Sequence, residues 1–245
     1  MDVFLSTLTT LEDYKNKLIE RAHQMLSITE EHEEVEANRC ILLKGKDQYL
    51  AVFKHRPSKN KKTLAFLNGN QYDVSFEKFI TLADESAIDI GHLSRVTFMQ
   101  QRSCKLDNNF SLSFLLPVLM TEYLNNALEL ALNYSKIRKT FGIPLYQNQL
   151  IINHLVRGFT EYKCNELLLL QLLSEWEANA ISKEKCLYHF NCIGDSLIEG
   201  IDSISPILGA FSYTEESKMF NLLQTIYNGS LFLKDICYEQ KEIII

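Results

Sequence analysis

The sequence has little glycine or proline, a single tryptophan and no excess of positive charge. Its 245 residues include 9 Gly, 4 Pro and 1 Trp, and 25 Lys and Arg stand against 31 Asp and Glu. The net charge of −6 argues against a general nucleic-acid-binding protein, which needs clustered cations to neutralise phosphates. The 46% hydrophobic content excludes disorder over most of the chain, because a chain of this size can bury a sizeable core.

Long apolar runs and paired cysteines are also missing. The longest apolar stretch surrounds Leu167–Leu173 and is interrupted by charged and polar residues, well short of the ~20 residues that a membrane span needs. The first residues show no basic segment followed by an apolar one, so no secretory signal is visible and we expect a cytoplasmic protein. The six cysteines lie far apart, which indicates reduced and mostly buried thiols.

Three segments of the chain differ in their hydrophobic pattern. Residues 1–38 carry apolar side chains at three- and four-residue steps, which predicts one amphipathic N-terminal helix. Residues 39–110 contain short apolar runs with turn residues at Gly45–Asp47 and Asn68–Asn70, which predict a small, reduced antiparallel β domain. Residues 111–245 have the pattern of long helices. The predicted fold class is therefore α+β.

The last segment is predicted to form an antiparallel four-helix bundle. Its first helix begins near Ser111, and apolar residues recur along one face as far as Tyr134. The other helices are predicted over residues 148–177, 182–204 and 214–234, with breaks at Gly142–Pro144, Ala178–Asn179 and Ser205–Pro206.

Residues 134–149 carry a pattern that a helix alone does not explain. Tyr134 is followed by Arg138, Phe141 and Gly142, and Gln149 stands eight residues after Phe141. An arginine at a helix end beside a Gly-Pro turn suits a bidentate contact with a pyrophosphate, and Phe141 offers an aromatic face to an adenine or flavin ring. The alternative interpretation is that Arg138 and Phe141 only cap and pack the helix pair.

Two more segments complete the pattern. They are Leu208–Tyr213, which reads Leu-Gly-Ala-Phe-Ser-Tyr, and Ile226–Ser230, which reads Ile-Tyr-Asn-Gly-Ser. In their order and their gaps, the three segments resemble the C-terminal domain of the acyl-CoA dehydrogenases. The corresponding family motifs are Arg-x-x-Phe-Gly followed by Gln, Gly-Gly-x-Gly-Tyr, and Ile-Tyr-Glu-Gly-Thr. The resemblance covers roughly the last 130 residues and implies a shortened, divergent member of this family.

The resemblance implies a flavoprotein, an FAD-dependent oxidoreductase acting on acyl thioesters of coenzyme A or an acyl carrier protein. It implies that Arg138, Phe141 and Gln149 touch the adenosine-diphosphate part of an FAD bound mainly to a neighbouring subunit. Gly209 and Ser230 would help to hold the same cofactor. A homo- or hetero-oligomer with acyl-CoA-dehydrogenase-type subunits is expected.

The family's catalytic base has no counterpart here. Dehydrogenation of an acyl thioester needs a carboxylate to remove the α-proton while hydride leaves for the flavin. The resemblance places that base at Asn228, and an amide is not basic enough for the task. The family's other location for a base lies near Leu112, where no carboxylate stands. We therefore expect no catalytic residue at these positions and dependence on a partner subunit; the remaining carboxylates to examine are Glu122, Glu129 and Glu215.

Other family features are absent or altered. The flavin-facing Thr-Glu-Pro and Gly-Ser-Asp segments have no counterpart in residues 1–110, and Pro206, Ala210 and Met219–Phe220 replace expected Gln, Gly and Arg-Asp. These departures favour an alternative function, a flavin-free scaffold or binding protein that keeps the bundle as an oligomerisation surface. A third alternative is an active enzyme of altered reaction type.

Two other groupings have simple explanations. Cys186, His189 and Cys192 stand at three-residue steps on a predicted helix, so the two thiols point in different directions and no metal site is expected.

Six basic residues between Lys54 and Lys62 predict a solvated loop that protects a strand edge. The alternative for this loop is attraction of an anionic partner, either coenzyme A phosphates or an acidic acyl carrier protein.

Overall fold

The computed structural model describes residues 10–28, 38–44, 49–53, 63–67, 70–76, 80–81, 92–94, 96–105 and 110–238. The chain divides into two compact units, one built on residues 12–115 and the other on residues 116–234. The acidic run of residues 30–36 and the basic loop of residues 54–62 lie outside the described residues.

The first unit begins with helix α1, Leu11–Ile28. Leu11, Tyr14 and Leu18 are buried, as their spacing on one helix face predicts. Acidic side chains at Glu12 and Asp13 occupy the first turn, where they interact favourably with the positive end of the helix dipole. The N-terminal amphipathic helix predicted from the sequence is therefore present.

A seven-stranded sheet follows, with strand order β5-β6-β2-β1-β3-β4-β7. Every neighbouring pair is antiparallel except β1 and β3, which are parallel. Cys40, Leu42, Ala51 and Val74 are buried side chains of this sheet. The strands are β1 Asn38–Lys44, β2 Tyr49–Phe53, β3 Thr63–Leu67, β4 Asn70–Phe76, β5 Ile80–Thr81, β6 His92–Ser94 and β7 Val96–Lys105.

The one parallel pair follows from where the chain re-enters the sheet. Strand β2 runs back along β1 and ends with Phe53 opposite Cys40. Strand β3 then begins with Thr63 opposite Asn38, at the same end of the sheet but on the other side of β1. Starting from that end, β3 must run in the direction of β1, so the wholly antiparallel arrangement predicted from the sequence holds for all but this pair.

The second unit consists of four long helices. A 3-10 turn over Phe110–Phe114 leads into α2, Leu115–Ile137; the others are α3 Gln149–Glu177, α4 Lys183–Ile204 and α5 Lys218–Tyr238. Asn148 caps α3 by accepting a hydrogen bond from the Leu150 N–H, and Ser182 caps α4 by accepting one from the Lys185 N–H. These limits agree with the predicted helices, and the α+β class is confirmed.

Small residues allow the four helices to approach closely. Gly158 of α3 packs against Ile204 of α4, and a methyl group added at Gly158 would lie 2.4 Å from the Ile204 side chain. Gly229 of α5 packs equally tightly against Met120 of α2. The core of this unit is apolar, and its largest fully buried side chains include Phe190, Phe232, Leu116, Met120, Leu124 and Leu169. Within the part of the chain that the structure describes, no helix is long and apolar enough to cross a membrane.

Candidate functional site

A short hairpin connects α2 to α3 and carries the predicted cofactor residues. Strand β8, Lys139–Thr140, pairs with β9, Ile143–Pro144, around a two-residue turn. The two turn residues, Phe141 and Gly142, have φ angles of 54° and 81°, as a type I′ hairpin turn requires. Glycine adopts such angles freely, whereas phenylalanine is strained in them by roughly 1–2 kcal/mol.

The side chains of the hairpin are open to solvent. Phe141 is 100% exposed and Ile137, at the end of α2, is 81% exposed. Lys136, Arg138 and Lys139 are also exposed, and none of them forms an ion pair within the described residues. The hairpin thus presents an unpacked aromatic ring among three uncompensated positive charges.

The backbone fixes where Arg138 lies. Its N–H donates to the Tyr134 carbonyl at 2.9 Å, which completes the last turn of α2, and its carbonyl accepts from the Leu145 N–H at 2.9 Å. The Arg138 backbone is therefore held on both sides, while its side chain forms no hydrogen bond or ion pair with the residues that the structure describes. Gln149, the first residue of α3, is exposed, and its amide donates to the Asn153 side chain at 3.2 Å.

The second predicted element is the turn between α4 and α5. It is a 3-10 segment over Ser205–Tyr213 that is interrupted at Gly209, where φ is 62° and ψ is −142°. The Ser212 hydroxyl lies 2.5 Å from the Ser205 carbonyl and 2.6 Å from the Gly209 carbonyl, so it ties the two ends of the turn together. Gly209 itself is exposed, and no atom lies within 4 Å of the place that a Cβ would occupy.

The third element lies on α5. Asn228 is half-buried, and Ser230 is 0% exposed. The Ser230 hydroxyl has no hydrogen-bond partner within the described residues. Its side chain is inaccessible in this conformation, so direct contact with a cofactor would require neighbouring side chains to move.

A tyrosine-carboxylate pair next to Asn228 was not anticipated from the sequence. The Tyr227 hydroxyl donates to Asp202 of α4. Partial burial and this hydrogen bond raise the pKa of Tyr227 to about 12. The Tyr213 hydroxyl lies 3.4 Å from the Ser205 hydroxyl, and both residues belong to the turn that precedes α5. The two members of the Tyr227–Asp202 pair are 25 residues apart, and no local pattern indicates their contact.

The carboxylates named as alternative bases lie in different surroundings. Glu122 is half-buried next to Tyr123, whose pKa is raised to about 12 by burial and then by the Glu122 charge. Glu129 is exposed and accepts a hydrogen bond from Asn125 at 3.5 Å. Glu215 is exposed in the turn before α5. Glu122 and Glu129 lie on α2, whereas Glu215 lies between the Gly209 turn and α5.

The cysteine and histidine grouping on α4 is dispersed. Cys186 is buried, Cys192 is half-buried, and the His189 ring packs edge-on against Tyr188. Burial raises the pKa of Cys186 to about 11. Among the described residues, no group of three or more histidine, cysteine, aspartate and glutamate side chains is placed to hold a metal ion.

Helix α3 carries apolar side chains on two opposite faces. One face is buried and includes Gly158, Leu169 and Leu172. The opposite face carries exposed apolar residues at helical spacing, which we call the outer stripe: Ile152, Val156, Phe159 and Leu167. A soluble helix normally faces water with polar residues, so the outer stripe has the character of a contact surface.

Comparison with solved structures identifies the fold. The steroid ACAD variant Tcur3481-Tcur3483 matches with a TM-score of 0.58 and 15% identity, covering 84% of this chain and 62% of that one. Butyryl-CoA dehydrogenase from Megasphaera elsdenii matches with a TM-score of 0.54 and 13% identity, covering 85% and 64%. Glutaryl-CoA dehydrogenase from Mycobacterium smegmatis, in complex with FADH2, matches with a TM-score of 0.53 and 12% identity, covering 84% and 61%.

The chain therefore has the fold of the acyl-CoA dehydrogenases in a divergent form, and the resemblance inferred from its motifs is confirmed at the level of fold. It spans a little over three fifths of the length of each of these enzymes. No protein-family model matches the sequence, and no curated protein sequence matches it.

Proposed function

We propose that the chain is an FAD-linked subunit of acyl-CoA-dehydrogenase type that acts with a partner subunit on acyl thioesters of coenzyme A or an acyl carrier protein. The observation that carries this proposal is the hairpin, where exposed Arg138 and Lys139, which form no ion pair with any described residue, precede a wholly exposed Phe141. A strained, exposed aromatic ring contributes nothing to the packing of its own chain. A ring in this position is available for contact with a ligand or a neighbouring chain.

The hairpin has groups that suit the adenosine-diphosphate half of FAD. Arg138 can donate two parallel hydrogen bonds to a pyrophosphate, and Lys139 adds a second positive charge. The Phe141 ring can stack on an adenine. Gln149 keeps its amide oxygen as an acceptor, because its described hydrogen bond uses only the amide nitrogen. When bound, FAD supplies the hydride acceptor, and the hairpin would hold the end of the cofactor remote from the reaction.

Gly209 and Ser230 would contribute in different ways. At Gly209 the open backbone permits close approach of a cofactor, since nothing occupies the space beside it. The buried Ser230 hydroxyl would become available only if the side chains around α5 rearranged on binding. Of the two, Gly209 is the more direct candidate for contact.

The first test is the FAD affinity of the 245-residue chain, measured by quenching of flavin fluorescence. We expect Arg138→Ala to weaken binding by roughly 10- to 150-fold, the equivalent of a charge-assisted hydrogen bond worth about 1.5–3 kcal/mol. Arg157→Ala is the matched control, because Arg157 is an exposed α3 arginine that pairs instead with Glu199 at 3.4 Å. Equal affinities for the parent and Arg138→Ala would refute the proposed role of Arg138.

We also propose that the chain by itself lacks the catalytic base. The unmodified chain should show no appreciable reduction of flavin by a saturated acyl-CoA, because removal of a general base costs on the order of 10²–10⁴ in rate. Asn228→Glu should introduce or increase this reduction. Asn221→Glu is the control, since it adds the same charge to an exposed position of the same helix. Robust turnover by the parent would show that another carboxylate serves as base.

The second candidate function is a flavin-free scaffold. The specific observation in its favour is the outer stripe of α3, which gives the chain a contact surface that requires no cofactor. On this alternative, the parent should bind no FAD, and Asn228→Glu should have no effect. Visible absorption of the chain, purified alone and with a co-expressed subunit of acyl-CoA-dehydrogenase type, before and after addition of FAD, separates the two functions.

A further inference from the structure

The turn between α4 and α5 is closed by the side chain of Ser212. This side chain is 0% exposed, and its hydroxyl lies within hydrogen-bond distance of two carbonyl oxygens, those of Ser205 and Gly209. A hydroxyl carries a single proton, which the two acceptors share. Ser205 is the C-terminal cap of α4, so one hydroxyl connects the end of a long helix to the middle of the turn.

Gly209 has a backbone conformation that other residues avoid. Its φ of 62° and ψ of −142° lie close to a region that is occupied almost only by glycine. No atom lies within 4 Å of the position that a Cβ would take, so the requirement for glycine is one of conformation and not of space. Glycine has access to many backbone conformations, and contacts elsewhere in the turn therefore select the one that is observed.

The hydroxyl of Ser212 fixes the orientation of the peptide that follows Gly209. Ile207 and Leu208 anchor one side of the turn in the core and Ser212 anchors the other, whereas Gly209 and Ala210 between them are exposed. A trans peptide carries its C=O and its N–H on opposite sides. The contact of the Gly209 carbonyl with Ser212 therefore turns the N–H of Ala210 away from the buried hydroxyl.

We propose that Ser212 is a positioning residue, which holds the Gly209–Ala210 peptide in the orientation that the cofactor contacts. The inference rests on the proposed contact of Gly209 with FAD and deepens it. The motif Gly-Gly-x-Gly-Tyr has glycine where this chain has Ser212, so the hydroxyl is a feature of this chain. A turn that is ordered before binding loses less conformational freedom when the ligand arrives.

The first measurement is the FAD affinity of Ser212→Ala. We expect binding about 5- to 10-fold weaker than that of the parent, because binding must then order the glycine backbone. Ser203→Ala is the matched control, since Ser203 is a buried α4 serine whose hydroxyl donates to the Glu199 carbonyl at 2.8 Å. This control should leave the affinity unchanged. Equal affinities for Ser212→Ala and the parent would overturn the proposal.

A double-mutant cycle shows whether Ser212 acts through Gly209. A side chain at a φ of 62° is strained, so Gly209→Ala should leave the observed conformation and weaken FAD binding by itself. Adding Ser212→Ala to this variant should cause no further loss, because the conformation that the hydroxyl selects is already gone. Additive losses would mean that Ser212 supports binding without acting on Gly209, and the proposal would be wrong.

A measurement without flavin separates failure of this inference from failure of the proposed function. Phe211 and Tyr213 are exposed aromatic residues of the turn, and chymotrypsin cuts after such residues when the local backbone opens. Ser212→Ala should accelerate cleavage at these two residues by about 10-fold or more. Cleavage after Phe141, which is exposed on the hairpin, should keep its rate and shows in the same digest that the bundle remains folded.

The two measurements give distinct results. Unchanged cleavage of the turn in Ser212→Ala would overturn the inference even if the parent binds FAD. Accelerated cleavage in a chain that binds no FAD, alone or with a co-expressed subunit of acyl-CoA-dehydrogenase type, would refute the proposed function and confirm that Ser212 fixes the turn.

Discussion

Replacing Phe141 by asparagine should stabilise the chain and weaken the proposed binding of FAD. Phe141 sits in the turn with φ at 54° and with its ring 100% exposed. A left-handed conformation costs an ordinary side chain roughly 1–2 kcal/mol, and asparagine tolerates it much better. Because the ring is not packed against the chain, its removal loses no buried contact. Asn-Gly is also the preferred pair for this type of turn, so we expect a gain of about 1 kcal/mol.

A second variant separates the backbone effect from the loss of the ring. Phe141→Ala also removes the ring but has no special tolerance of positive φ, so it should leave the stability close to that of the parent. Both variants should weaken FAD binding to a similar extent, because both lose the aromatic face. Urea unfolding followed by circular dichroism gives the stabilities, and flavin fluorescence gives the affinities.

The reasoning would be refuted by a Phe141→Asn variant that is less stable than the parent. That result would mean that the ring packs on its own chain in solution and that the strain is compensated. An unchanged FAD affinity in both variants would show that Phe141 does not contact the cofactor. The explanation of stability by the turn geometry would still hold in that case.

Three further outcomes are expected from groups whose surroundings are well defined. Gly158→Ala should lower the free energy of unfolding by about 1 kcal/mol. The added methyl group would lie 2.4 Å from the Ile204 side chain, and this crowding outweighs the gain in helix propensity. Increased stability in urea would show that the Ile204 side chain moves aside. Tyr227 should ionise near pH 12 rather than near its usual 10, as seen in ultraviolet difference spectra against Tyr227→Phe. Since its pKa is raised in the folded state, the stability it contributes is complete below about pH 10 and is lost as the pH rises towards 12. Exposed Cys164 should react with iodoacetamide in the native chain while buried Cys186, whose pKa is raised to about 11, reacts only after unfolding; equal rates would contradict the burial of Cys186.

The helical unit could be predicted from the sequence because its limits are set by local signals. Helix α3 begins after the Asn148 cap and α4 after the Ser182 cap, and each signal acts on residues in its own turn. The parallel pairing of β1 with β3 could not be predicted in this way. A strand's hydrophobic pattern specifies which faces are buried, but not which neighbour it takes or in which direction.

The candidate site was predictable only in part for the same reason. The spacing of Arg138, Phe141 and Gln149 is a local pattern, and the structure places them on one hairpin and the start of the next helix. The positive φ of Phe141 has no sequence signal, since the usual asparagine of such a turn is absent. The contact of Tyr227 with Asp202 arises because α4 and α5 pack side by side, which is a property of the tertiary structure.

The exposed outer stripe of α3 also affects the abundance of the chain in a cell. Exposed apolar side chains such as Ile152, Val156 and Phe159 favour recognition by chaperones and proteases, and under the proposed function a partner subunit would cover them. The chain's abundance would then follow the synthesis of the partner rather than its own, and an excess of uncombined chain would be degraded or would aggregate. Gene dosage of the two chains would have to be matched, and expression of this chain alone would give a low yield of soluble protein.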